Sequence, residues 1–291
     1  MHVVHTFEEL AGVAHNVYLA IGVFDGVHLG HQAVVLTFDP HPQRVVHPEK
    51  APPLLTTTPH KLRLLEPLGV HACLLVTFDH PFSLTPPEQF IEQVAHRTNS
   101  LREICVGARF RFGHRHAGDV RLIAALAPTH GFLAREIAPV TLGNDPISST
   151  AVRQLILHGD LDRAAAMLGR PYSILGVVQH GDQIGQRLGY PTANLDPQGE
   201  LLPPDGVYVA RAFIDGQSHG GLVNIGRRPT FEGRSRQRRC ELHVLDFHRD
   251  LYGQEIEVQF LQKLRDEQRF DSPDALRRQI AADEQAARAL L

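Results

Sequence analysis

The apolar positions of this chain fall into two patterns that meet near residue 170. In the first, short apolar runs at 17–22, 33–38, 72–78 and 103–107 read as buried parallel strands, and they alternate with helical periodicity at 58–68, 86–98 and 120–129. Alternation of that kind predicts an α/β half. The stretch 48–59 holds four prolines and a run of threonines and predicts a loop. Two short helices should follow: one starts at Ser148-Ser149-Thr150, carries Val152, Leu155 and Ile156 and stops at Gly159; the next is capped by Asp160 and ended by Gly169.

In the second pattern the period falls to two. Ile256, Val258 and Phe260 alternate with Glu255, Glu257 and Gln259, the mark of a strand that is wet on one face. Further strands are expected at 174–179, 207–214, 221–225 and 240–247, bounded by Gly, Asp and Pro clusters, with Asp215-Gly216 as a hairpin signal. Together they predict a small antiparallel β-barrel, closed off by a C-terminal helix with Ser272 as cap, Pro273 at its first position, and Leu276 and Ile280 facing inward. The expected domains are 1–169 and 170–291, cut at Arg170-Pro171.

One connection does not fit. If 17–22 and 33–38 are parallel neighbours, only Val23 to Gln32 join them, whereas a crossover takes about a dozen residues or more and usually a helix. The expectation is either a rearranged sheet or a lost segment.

Composition narrows the partners. A hydrophobic share of 43%, a charged share of 21% and a net charge of −3 describe a soluble protein with no global pull toward nucleic acid or membranes. Partners are therefore expected to be small molecules, and the chain a monomer or weak homo-oligomer. Cys73, Cys105 and Cys240 are too few and too far apart for a disulfide framework or a CxxC metal site, which points to a reducing cytoplasm, and no targeting segment is expected. Nineteen histidines include no HExxH. Arg227, Arg228, Arg234, Arg236, Arg238 and Arg239 form a basic cluster without interleaved aromatics, read as a solvated loop near phosphates rather than a nucleic-acid surface.

Two stretches carry chemistry. Directly after the first long strand, Gly22-Val23-Phe24-Asp25-Gly26-Val27-His28-Leu29-Gly30-His31 sets His28 and His31 where a strand feeds a helix, a position suited to phosphate binding and to a charged α-phosphate in transfer. Ser149, Thr150 and Arg153 form a second anion-binding arrangement at a helix start. In the second half, 176–194 is rich in glycines, Gly181, Gly185 and Gly189 among them, yet lacks the GK[ST] ending of a P-loop. Thr192 and Asn194, two apart on an extended segment, can turn a hydroxyl and an amide oxygen toward one Mg2+.

HxGH together with ISSTxxR resembles the nucleotidylyltransferase superfamily, whose domain is Rossmann-like. The fuller wording, Gly-x-Phe-Asp-Gly-Val-His-x-Gly-His followed by Thr37-Phe38-Asp39-Pro40-His41-Pro42, resembles the bacterial bifunctional riboflavin kinase and FMN adenylyltransferase family, the prokaryotic FAD synthetases. The resemblance continues through 188–194, 224–231, 241–247, 250–253 and 264–270. It implies ATP-dependent phosphorylation of riboflavin to FMN in the C-terminal half, and adenylylation of FMN to FAD with release of pyrophosphate in the N-terminal half. By the same resemblance Glu241 is the general base of the kinase, Thr192 and Asn194 hold Mg2+, and Gly181, Gly185 and Gly189 cover the ATP phosphates. His28, His31, Gly22, Phe24, Ser149, Thr150 and Arg153 serve the ATP of the adenylyl step, and Phe110, Phe112 and Arg265 the flavin. Arg109 stands where the family has Asp or Asn, and a helix of about twenty residues expected after His31 is absent. Rival readings are a kinase with a degenerate N-terminal domain and a non-catalytic flavin-binding regulator.

Overall fold

Side-chain caps and left-handed glycines set most helix ends, and parallel or antiparallel pairing then separates the two halves. The computed structural model describes all residues except 25–33, 99, 181–184, 186–188 and 228–237. The chain opens with β1 (His2–Val4), α1 (Phe7–Val13), β2 (Val17–Ile21), β3 (Val34–Asp39), α2 (Pro42–Val46), α3 (Thr58–Leu65), β4 (Ala72–Thr77) and α4 (His80–Ser83). It continues through α5 (Pro87–Arg97), β5 (Leu101–Gly107), α6 (Val120–His130), β6 (Leu133–Ile137) and the short pair β7 (Thr141–Leu142) and β8 (Asp145–Pro146). Then come α7 (Ser149–His158), α8 (Leu161–Leu168), β9 (Ser173–Gln179), β10 (Ala193–Asp196), β11 (Gly206–Ile214), β12 (Gln217–Arg227), β13 (Arg238–Val244), β14 (Glu255–Arg265) and α9 (Pro273–Leu290).

Six strands form one parallel sheet in the order β1-β4-β3-β2-β5-β6. Leu19, Ile104 and Leu36 point to the side covered by α5 and α6, where Phe90, Ile91, Val94 and Ile123 complete the main core. The sheet is not rearranged: β2 and β3 are parallel neighbours, with Leu19 opposite Val34. Residues 22–33 join them, close to the lower limit of roughly 10–12 residues for a whole crossover. The β3–β4 crossover carries α3 and lies on one face of the sheet. On that face α3 buries Val35 of β3 and Cys73 of β4, with Leu65 and Val70. The same face of β2, β5 and β6 carries Tyr18, Cys105 and Leu133, and Tyr18 and Leu133 remain 46% and 66% exposed.

The second half is a closed antiparallel barrel in the order β10-β13-β12-β11-β14-β9. The period-two pattern is obeyed: Ile256, Val258 and Phe260 are buried and Glu255 is exposed. Phe260 stacks on Tyr172 and meets Tyr208 edge-on, and such pairs add ~0.5–1.5 kcal/mol each beyond area burial. Ser272 caps α9 by accepting from the Ala275 N–H, and Ala287 packs with Val207, Val209 and Leu222 on the outside of the barrel.

Contacts divide the chain into two compact units, 1–52 with 58–147, and 53–57 with 148–291. The division falls at Ile147/Ser148, ahead of the expected cut at Arg170, because α8 packs on β14 and the α7 residue Arg153 donates from Nε to the Pro53 carbonyl. The strap 53–57 joins the second unit through Glu200. That buried carboxylate accepts from the Thr57 N–H, the Thr57 hydroxyl (2.8 Å) and the Leu175 N–H (2.8 Å).

Candidate active sites

In the barrel unit, strand register alone brings the expected kinase residues together. On β13, Glu241 lies opposite Asn194 of β10 on one side and Asn224 of β12 on the other. Its neighbours Cys240 and Leu242 are buried in the core, so Glu241, Asn194 and Asn224 share the half-buried outer face of the wall. Thr192 precedes β10 by one residue and borders a cavity of about 460 Å³ whose wall includes Val178, Leu242, Val244, Leu251 and Tyr252. The Tyr252 ring stacks on His180, centroids 4.0 Å apart.

Two contacts hold the Thr192 segment. The His243 ring nitrogen Nδ1 lies 2.8 Å from the Pro191 carbonyl, and since a carbonyl only accepts, this nitrogen carries the proton and donates. The Tyr190 N–H donates to the Gly185 carbonyl at 2.8 Å. A side chain on Gly185 would collide with the Tyr190 carbonyl and stand 3.1 Å from the Thr192 hydroxyl oxygen, so only glycine permits this approach. Gly189 has φ +88°, the left-handed region. Gly181 lies outside the described residues.

Arg265 has a different setting. Its Nε and Nη2 donate to the Asp283 carboxylate at 2.7–3.0 Å and Nη1 donates to the Asp266 carbonyl, tying β14 to α9. Burial pushes the Cys240 thiol up to about 12, with the Glu241 charge adding to the effect.

In the α/β unit, the ends of β2 and β3 meet at Thr37. Its hydroxyl donates to the Val23 carbonyl at 3.1 Å, and the Lys61 Nζ donates to the same hydroxyl oxygen at 3.2 Å. One turn earlier on α3, the Thr58 hydroxyl donates to Asp39 at 2.7 Å. The Gly22 N–H still donates to the Leu36 carbonyl, while Phe24 turns into the left-handed region at φ 50° and its ring folds over Gly22 to pack near Val35. His28 and His31 lie outside the described residues. Phe112 is buried against Phe90, and the half-buried Phe110 stacks on it at 5.5 Å. Ser149 and Thr150 form the first turn of α7 as expected, with Ser148 as cap, and belong to the second unit, as does the buried Arg153.

Asn224, His243 and Tyr252 lie in the family-like blocks but carry no assigned role there, and Lys61 lies in none. For His243 a signal existed in its spacing, two residues past Glu241 on one strand and hence on the same face. For Lys61 it was a charge four residues before Leu65, on the inward face of an amphipathic helix.

The sequence model described as riboflavin kinase matches residues 168–291, and the one described as FAD synthetase matches 32–151. The bifunctional riboflavin kinase/FMN adenylyltransferase of Escherichia coli K12 is 38% identical over 93% of this chain and 91% of its own length. That of Bacillus subtilis is 33% identical over 99% and 96%. A solved chain described as a macrolide-efflux protein from Streptococcus pneumoniae superposes with a TM-score of 0.81 at 27% identity, covering 99% of both chains. An alignment of 287 positions that covers 93% of a 291-residue chain is longer than the stretch it covers, so this chain lacks residues that the Escherichia coli relative has. Both family models are matched in order and the relatives are aligned almost end to end, so the chain belongs to the bifunctional riboflavin kinase/FMN adenylyltransferase family.

Proposed function

We propose that this chain makes flavin cofactors in two steps, phosphorylating riboflavin to FMN at the barrel wall and adenylylating FMN to FAD in the α/β unit. The observation that carries the first assignment is the placement of Glu241 between Asn194 and Asn224, with Thr192 two residues before Asn194. A carboxylate held on a strand between two amides is oriented for one proton transfer. Glu241 takes the proton from the ribityl 5′-hydroxyl as that oxygen attacks the γ-phosphorus of ATP. The new O–P bond forms in line with the bond that breaks, and ADP leaves.

Metal fit follows from the donor set. Among the described residues no group of three or more His, Cys, Asp or Glu could hold a cation. The Thr192 hydroxyl and the Asn194 amide oxygen are neutral, hard donors that suit Mg2+ bound chiefly by phosphates and water, which would neutralise charge on the β- and γ-oxygens. Gly185 and Gly189 let backbone N–H groups come close to those phosphates. The apolar wall of the cavity, with the Tyr252 and His180 rings, suits a purine base.

For the adenylyl step, the end of β2 with Gly22, Phe24, His28 and His31 is assigned to ATP. Phe110 offers a ring face for the flavin, backed by Phe112. An FMN phosphate oxygen attacks the α-phosphorus and pyrophosphate leaves, which needs charge stabilisation and alignment but no covalent intermediate. The enzyme works on diffusible small molecules in the cytoplasm, as a monomer or weak homo-oligomer.

Replacing Glu241 tests the assignment. Glu241→Gln keeps the shape and removes the base, so FMN formation from riboflavin should fall on the order of 10²–10⁴-fold while FAD formation from supplied FMN persists. Unchanged riboflavin phosphorylation would remove Glu241 from the reaction.

A further inference from the structure

Lys61 is 4% exposed, although lysine is among the residue types almost never fully buried. Taking an ammonium out of water costs several kcal/mol, and a methionine would fill the same space on the inner face of α3 without that cost. One of its bonds runs to the sheet edge. Nζ donates to the Thr37 hydroxyl, Thr37 is itself fully buried at the C-terminal end of β3, and its hydroxyl donates onward to the Val23 carbonyl. Val23 is the second residue past β2, directly before Phe24 takes its left-handed turn. In open parallel sheets, ligands bind at this edge, outside the carboxyl ends of the strands. The ammonium also acts on Cys73 of β4, where its charge opposes the rise that burial imposes on the thiol.

We propose that Lys61 is a positioning residue for adenylyl transfer: through Thr37 it fixes the Val23 carbonyl, and with it the point at which the chain leaves β2 for the nucleotide site. The inference rests on the reading of the α/β unit as the adenylyltransferase. Lys61 does not touch substrate. It sets the Val23 carbonyl at the end of β2, and misplacement on the order of 1 Å in such a site costs about 10²-fold in rate.

A double-mutant cycle on the whole chain tests this, with the kinase reaction of each preparation as the control for folding. Lys61→Met should raise KM for ATP and lower kcat in FAD formation from FMN, with kcat/KM down on the order of 10²-fold and riboflavin phosphorylation unchanged. Thr37→Val should act in the same direction, Thr37→Ser should stay near wild type, and the double variant K61M/T37V should be no worse than the worse single one. The inference is overturned if K61M makes FAD at the wild-type rate, or if both activities fall together and the two substitutions add. Should K61M not fold, the Thr37→Val and Thr37→Ser pair decides, since equal activities would break the link. A wild-type chain that makes FMN but no FAD would sink the reading of the α/β unit and this inference with it, whereas an active K61M sinks the inference alone.

Discussion

At the residue scale, the barrel site depends on what is missing as much as on what is present. Gly185 leaves room for the Tyr190 carbonyl and the Thr192 hydroxyl to come close, so Gly185→Ala must push the Thr192 segment outward. The expected result is a loss of riboflavin kinase kcat/KM on the order of 10²-fold with little change in thermal stability, measured by steady-state kinetics beside a melting curve. The cysteines behave oppositely. Burial pushes Cys73 and Cys105 up to about 11 and Cys240 up to about 12, and at Cys105 the Glu103 carboxylate adds to the rise. A raised thiol stays protonated until the pH approaches that value, and only the thiolate is nucleophilic. Iodoacetamide at pH 8 should therefore leave both activities of the native enzyme intact, and rapid loss of either would show a thiol that these surroundings do not describe.

Elements show how much the sequence discloses. The apolar runs of β2 to β5 and the period-two strand β14 were legible because burial writes directly into apolar spacing. Strand β6 was not: its residues Leu133–Ile137 lie at the sheet edge with one half-buried position, so no pattern was imposed on them. Strand β10 was hidden for another reason, since Ala193–Asp196 is short and has Leu195 as its one buried residue. The site was legible as motifs, whereas Asn224 beside Glu241 and Lys61 beneath Thr37 follow from pairing between distant strands and from packing, neither of which local spacing encodes. The strap 53–57 is a further case. Its prolines predicted a loop, but Glu200 binds it into the barrel unit with three hydrogen bonds. Glu200→Ala would leave three donors without their acceptor, at ~1–3 kcal/mol each if they stay buried. The melting point of the barrel unit should fall by ~10 °C or more, at roughly 2–4 °C per kcal/mol for a unit of this size. A melting point within a degree of wild type would mean the strap contributes nothing.

At the scale of the whole molecule, the division at Ile147/Ser148 leaves Ser149, Thr150 and Arg153 with the barrel unit, whereas the riboflavin kinase match begins only at residue 168, after both helices α7 and α8 have started. In the α/β unit, the parallel pairing of β2 and β3 delivers Gly22 and Thr37 to the same edge. That pairing is the physical ground for expecting adenylyl transfer beside the kinase reaction. The most direct measurement is chromatography of the flavins formed when the purified chain is incubated with Mg-ATP and riboflavin, and separately with Mg-ATP and FMN. The account predicts FMN and then FAD in the first reaction and FAD in the second. FMN without FAD in both would contradict the adenylyltransferase half, and unchanged riboflavin in the first would contradict the kinase site built around Glu241.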